Sequence, residues 1–195
     1  MKEILIATAN AHKVDEYRQM LQPYGYTVKS LADFDFEEVE ETGTTFAQNA
    51  LIKAKALYNQ VKMRVIADDS GLEIIALNNQ PGIYSARYLG VNTPYKEKNK
   101  LIIEQLKNKD DRRACFICAI ALVDDNEEKV FIGEFWGTIA YQAKGLNGFG
   151  YDPIFYLEEY QKTAAELKPE VKNEISHRGK AMKQLLPYLL AKDKI

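Results

Sequence analysis

The spacing of apolar residues divides the chain into alternating strands and helices. Glu3–Ala7 reads as a first strand, built on a short apolar run that extends from Ile4 to Thr8 at most. Beyond Thr8–Lys13, the residues Val14, Tyr17, Met20 and Leu21 recur at helical spacing, with Asn10 as a good N-cap. Pro23-Tyr24-Gly25 ends that helix, and Tyr26–Leu31 is a second strand. Phe46, Ala50, Ala54, Leu57 and Val61 mark the inward face of a helix over Phe46–Val61, entered through Thr45 and Gln48 in a capping-box pattern. Val65-Ile66-Ala67 reads as the end of a buried strand, and Leu72–Leu77 as a separate short one. Thr93–Lys107 is helical, and Arg113–Val123 and Lys129–Trp136 form a hairpin across Asp124–Glu128. Thr163–Leu167 is a short helix. A final helix, capped by Ser176, turns Met182, Leu185, Leu186, Leu189 and Leu190 inward, and Pro187 is expected to kink or shorten it.

A chain of 195 residues predicts one domain over 1–195, with room for two lobes. Its 46% hydrophobic and 28% charged residues are ordinary for a soluble globular protein. A net charge of −2 gives no global attraction for nucleic acid or an anionic membrane. No stretch approaches the apolar length that spans a bilayer, and the first apolar run is a strand rather than a signal peptide, so a cytoplasmic protein is expected. The two cysteines, Cys115 and Cys118, are spaced C-x-x-C inside the apolar run 114–123. Residues three apart on a strand face opposite ways, so these thiols are expected to be core residues rather than a metal or redox pair.

The chemistry gathers at Val65–Leu72. A strand ending there would point Asp68 and Asp69 into the crevice at the sheet's carboxyl edge, where open α/β sheets bind ligands. Adjacent carboxylates are costly unless something neutralises them. A plain turn is the other reading, since Asp, Ser and Gly favour turns. Lys13 falls at the third helical position, where a cation opposes the macrodipole and a bound anion would resolve the conflict; an ordinary exposed lysine is the alternative. Of the acids Asp33, Asp35, Glu37, Glu38, Glu40 and Glu41, most read as a solvated face, but Glu41 stands at the entrance to the next helix. Asn49 and Lys53 share a polar helix face, either solvated or at a site. Gly145, Gly148 and Gly150 lie in a loop that is neither the dinucleotide fingerprint nor the P-loop. Phe149 and Tyr151 there offer flat faces to a base, unless the loop is a simple hairpin connection.

Six segments share an order with a known family: Thr8-x-Asn10-x-x-Lys13, Glu41-Thr42-Gly43-x-x-Phe46-x-x-Asn49-Ala50, Ala67–Leu72, Pro81–Arg87, Gly148–Phe155 and Ile175–Gly179. Together they resemble the inosine triphosphate pyrophosphatase family, which removes the triphosphates of deaminated purines. The resemblance implies an α/β fold with a mixed central sheet flanked by helices, in two lobes with a deep active-site cleft, and a homodimer. It implies hydrolysis of ITP, dITP and XTP to the nucleoside monophosphate and pyrophosphate, with Mg²⁺. It also implies Asp69 as catalytic base, and Glu41 and Asp69 as metal ligands with Asp68 as a possible helper. Substrate contacts are expected from Thr8, Ala9, Asn10, Ala11, His12, Lys13, Lys53, Ser70, Phe149, Gly150, Tyr151, Asp152, Lys172, His177 and Arg178. His177 and Arg178 would donate to the 6-oxo group of the base. Guanine is also 6-oxo, so its rejection falls to the 2-position.

The rival readings are a non-catalytic nucleotide-binding module, a nucleic-acid binder and a pyrophosphatase for modified pyrimidine triphosphates. Carboxylates beside phosphate argue against the first unless a metal intervenes, and net charge argues against the second. A serine hydrolase is disfavoured because no G-x-S-x-G occurs.

Overall fold

The computed structural model describes residues 2–33, 36 and 39–193. Asp35, Glu37 and Glu38 of the acidic run lie outside the described residues. In chain order the elements are β1 (Lys2–Ile6), α1 (Ala11–Leu21), β2 (Tyr26–Ser30), α2 (Phe46–Val61), β3 (Val65–Ile74), β4 (Gln80–Pro81), α3 (Tyr95–Gln105), β5 (Arg113–Val123), β6 (Glu128–Ile139), β7 (Phe155–Leu157), β8 (Lys162–Thr163), α4 (Pro169–Ile175) and α5 (His177–Lys192). The sheet order is β2-β1-β3-β5-β6-β7-β8, with β4 paired to β3. β1 runs parallel to β2 and to β3, as helical crossovers require, whereas β3–β4, β6–β7 and β7–β8 are antiparallel. The result is the expected mixed α/β sheet flanked by helices.

The chain divides into two compact units, and each is discontinuous in sequence. The first comprises Met1–Asp69, Cys118–Gly133 and Arg178–Ile195; the second comprises Ser70–Ile117 and Glu134–His177. Strands β3, β5 and β6 each supply residues to both, which is why no linker or composition shift marks a boundary. The core of the first unit gathers Ile4, Ile6, Tyr17, Leu21, Ile66, Cys118, Ile120 and Leu185. That of the second gathers Leu72, Ile74, Ile102, Phe116, Phe135, Ile154 and Phe155. Cys115 and Cys118 are both buried core residues, as their strand setting predicts.

Four local expectations need correction. The first concerns Val65–Ala67, which does not end a strand: β3 continues through Asp68-Asp69-Ser70-Gly71 to Ile74. Val65, Ile66, Ala67, Leu72 and Ile74 are all fully buried, so apolar anchors on both sides keep four turn-forming residues extended. At the entrance to α2, Thr45 accepts from the Gln48 N–H, but Gln48 Oε1 reaches back to the Thr44 N–H (2.8 Å) rather than closing a reciprocal box on Thr45. The third is a shortening at Pro187, which sits inside α5 without ending it; Leu185 and Leu189 on either side are fully buried. Lastly, α4 precedes α5 where only an approach segment was expected, with Pro169 in its first turn where a missing N–H costs nothing.

Ser85, 6% exposed, pins β3 in the second unit: its Oγ accepts from the Leu72 N–H (2.9 Å) and donates to the Gly82 carbonyl (2.7 Å). Ser85→Ala would strand a buried donor on Leu72 and is expected to destabilise the protein by about 1–3 kcal/mol. The urea midpoint should fall accordingly; an unshifted midpoint would mean the backbone finds another partner.

Candidate active site

Continuity of β3 sets the local chemistry, because successive strand residues point to opposite faces. Asp68 and Asp69 therefore meet different neighbours although they are adjacent. Both are buried, at 1% and 8% exposure.

Asp68 is fully compensated within the first unit. Lys13 Nζ donates to its Oδ1 (2.9 Å), and Arg178 donates to its Oδ2 through Nε (2.9 Å) and Nη2 (2.7 Å). The Cys118 Sγ lies 3.8 Å from the same oxygen. Burial by itself would raise this carboxyl, but Lys13 and Arg178 hold it well below the usual carboxylate range. Asp68 is thus a permanent anion that seats two cations.

Asp69 has the opposite character. Burial, then the negative charge of Glu41, push it up to about 6, against an opposing hydrogen bond from Asn49 (3.1 Å). Asn49 is fully buried and bridges two segments: its Nδ2 donates to Asp69, and its Oδ1 accepts from the Gly43 N–H (2.8 Å). A Cβ on Gly43 would lie 2.6 Å from that Oδ1, so only glycine lets the loop close on Asn49. Lys53 pairs with Glu41 (2.5 Å) and donates to the Asp68 carbonyl (3.2 Å). Asn49 shares a helix face with Lys53, four residues on, and that polar face alone does not decide between solvent and the bridge it makes here.

The Thr8–Lys13 segment leaves β1 at its carboxyl end, as expected. Asn10 caps α1 by accepting from the N–H groups of His12 (3.0 Å) and Lys13 (3.4 Å), and the Thr8 hydroxyl accepts from the Asn10 N–H (3.2 Å). Two donors that a helix N-terminus offers an anion are therefore engaged by the cap, and the Lys13 side chain is the cation of this segment. Ala9, Asn10, Ala11 and His12 are exposed.

In the second unit, Lys172 donates to Asp152 Oδ2 (2.6 Å) and lies 4.8 Å above the Phe149 ring. The same Asp152 oxygen accepts from the Phe149 N–H (2.8 Å). Gly148, at φ +71°, makes this possible, since a Cβ there would come within 2.2 Å of Asp152 Oδ2. Asn99 donates to the Gly150 carbonyl (3.1 Å). Tyr151, read from the sequence as a flat face for a base, is instead a core residue at 3% exposure. Its hydroxyl donates to the Ser85 carbonyl (2.7 Å) and its ring meets Tyr95 edge-on. His177 stacks on Phe116 at 4.9 Å, with planes only 12° apart. Ser70 is half-buried on β3. Arg178, expected beside His177 at a base oxygen, turns its guanidinium onto Asp68 and onto Glu16 (2.5 Å).

A cavity of about 630 Å³ in the second unit, lined by Arg112, Tyr141 and Tyr156, holds none of these residues. Arg112 there is committed to the carbonyls of Ile139 (2.7 Å), Leu106 (2.9 Å) and Ala140 (3.0 Å), and so ties strand ends together.

Among the described residues, no group of three or more His, Cys, Asp or Glu could alone hold a metal. Glu41 and Asp69 still fit a hard cation with few protein ligands, because they are oxygen donors and the charge on one raises the other. The elevated Asp69 predicts a measurable strain. Its folded value of about 6 exceeds the ordinary 3.8, so the folded state binds the proton more tightly and stability falls as pH rises through that window. In chelator, Asp69→Asn should melt higher than the wild type at pH 8, by about 1–3 kcal/mol, and equally at pH 4. A variant no more stable at pH 8 would contradict the electrostatic account.

The Ham1 family profile matches residues 4–188. The dITP/XTP pyrophosphatase of Bacillus subtilis (strain 168) is 47% identical over 195 residues, covering 98% of each chain. The solved Ham1 protein of Staphylococcus aureus gives a TM-score of 0.88 at 44% identity, covering 98% of this chain and all of that one. A HAM1 protein from Coxiella burnetii gives a TM-score of 0.90 at 42% identity with the same coverage. With a family match across nearly the whole chain, and with kinship in sequence and fold at full length, this chain belongs to the Ham1 family.

Proposed function

We propose that the protein hydrolyses ITP, dITP and XTP between the α- and β-phosphates, yielding the nucleoside monophosphate and pyrophosphate. The observation that carries this reading is the divided pair on β3: Asp68 locked as an anion by two cations, and Asp69 raised to about 6 beside Glu41. Asp69, raised by burial and by Glu41, is the more basic of the two acids, and accepting a proton from water is what attack on phosphorus asks of a general base. Asn49 fixes the orientation of Asp69 by its hydrogen bond. Lys13 and Lys53 supply positive charge for the phosphates. The names of the relatives support the substrate class.

Glu41 and Asp69 would hold Mg²⁺, which when bound supplies charge neutralisation for the phosphates and for the two acids. Phe149, half-buried beneath Lys172, is assigned to stacking on the base, and Asp152 and Lys172 to its polar edge. His177 is assigned to the 6-oxo group. We also propose that the protein works as a homodimer in the cytoplasm, on the family resemblance; no helix among the described residues is long and apolar enough to cross a membrane.

Pyrophosphate release should be fast with ITP, dITP and XTP and much slower with ATP and pyrimidine triphosphates, and EDTA should abolish it. Asp69→Asn should lose turnover while still binding ITP. His177→Ala should cut the preference for ITP over ATP by roughly tenfold or more. Turnover by Asp69→Asn near the wild-type rate would refute the assigned base. Binding of ITP without any pyrophosphate release by the wild type would favour a non-catalytic module.

A further inference from the structure

Four charged side chains, two buried and two partly buried, cluster in the first unit, and one of them, Glu16, has no part in the reading above. Arg178 has three contacts on two acids: Nε and Nη2 on Asp68 Oδ2 (2.9 and 2.7 Å) and Nη1 on Glu16 Oε2 (2.5 Å). Lys13 holds the other oxygen of Asp68, Oδ1, at 2.9 Å. The side chains of Asp68 and Arg178 are 0% and 1% exposed, that of Glu16 13%, and that of Lys13 16%. Glu16 lies three residues after Lys13 on α1, on the same side of the helix. Arg178 therefore ties the segment of α1 that carries Lys13 to β3.

The two contacts on Asp68 are unequal. Arg178 reaches one oxygen with two N–H groups from a planar, fully buried guanidinium that Glu16 holds in place. Lys13 reaches the other oxygen with a single flexible ammonium on the most exposed side chain of the four. A phosphate arriving at Lys13 must compete with Asp68 for that ammonium. Were Lys13 the only cation on Asp68, its departure would leave a bare carboxylate in the interior, and the exchange would be strongly opposed. Arg178 removes that obstacle by keeping Asp68 compensated.

We propose that Glu16 and Arg178 are positioning residues for phosphate binding. Glu16 seats Arg178, Arg178 retains the charge of Asp68, and Lys13 is thereby free to exchange from Asp68 to a substrate phosphate. The inference rests on the proposed triphosphate pyrophosphatase activity and assigns Arg178 to the phosphate end rather than to the base.

The test uses the full-length protein with Mg²⁺, ITP and ATP as substrates, and inorganic pyrophosphate as a base-free competitive probe. Glu16→Gln and Arg178→Gln should raise the KM for ITP and the Ki for pyrophosphate together, by about five- to tenfold, with a smaller change in kcat. The ratio of kcat/KM for ITP over ATP should not move. In a Lys13→Ala background, Glu16→Gln should add nothing further to the pyrophosphate Ki, because the path through Lys13 is already gone. Glu16→Gln preserves size and hydrogen bonding, and so keeps the test alive if Arg178→Gln fails to fold. An unchanged pyrophosphate Ki in Glu16→Gln, or effects of Glu16→Gln and Lys13→Ala that simply add, would overturn the proposal. A collapse of the ITP preference in Arg178→Gln with an unchanged Ki would place Arg178 on the base. Absence of ITP turnover in the wild type would instead defeat the activity on which the inference stands, a result distinct from wild-type turnover that Glu16→Gln leaves untouched.

Discussion

The charge on Asp68 is the constraint around which the first unit is arranged. A carboxylate in a strand interior with no exposed surface survives only if cations are brought to it. Lys13 arrives from the first turn of α1, and Arg178 from the start of α5, so one acid joins the first helix, a central strand and the last helix. The parallel pairing of β1 with β3, Leu5 opposite Val65 and Ile6 opposite Ile66, sets the end of β1 beside the residues that lead into Asp68. Burying Ile4, Ile6 and Ile66 thereby also delivers Lys13 to its acid.

The neighbouring acid is managed in the opposite manner. Asp69 accepts a neutral hydrogen bond from Asn49 and, being buried, feels Glu41, so it holds its proton more tightly than an ordinary aspartate and exchanges it nearer neutrality. Two chemically identical side chains thus acquire opposite shifts in acidity from the two faces of one strand. Nothing in the intrinsic acidity of aspartate separates them; burial and neighbours do.

Close approach of backbone to a polar side chain recurs in both units. At Gly43 the loop comes down on Asn49, and at Gly148 on Asp152; in each case a methyl group would collide with the side-chain oxygen that organises the site. Asn49 then orients Asp69, and Asp152 then gathers Lys172 and the Phe149 N–H. The glycines act here through absent volume, and only at Gly148 also through a positive φ.

Much of this was legible in the chain itself. Helical spacing located α1, α2 and the face of α5, the N-caps Asn10 and Thr45 marked two helix starts, and motif order identified the family. These features are local, depending on residues within a turn or two of each other. The course of β3 was not legible, because Asp-Asp-Ser-Gly favours a turn and only the packing of Leu72 and Ile74 overrules it. Nor was the burial of Tyr151 against Ser85, the bridge made by Asn49, or the seat of Arg178 on Asp68 and Glu16. Those depend on partners 6 to 162 positions away, between groups whose chemistry permits many pairings. Sequence determined which residue types were present and which short segments would be helix or strand. Tertiary structure decided which acid met a cation and which met another acid, because charge compensation in an interior is settled by proximity in space.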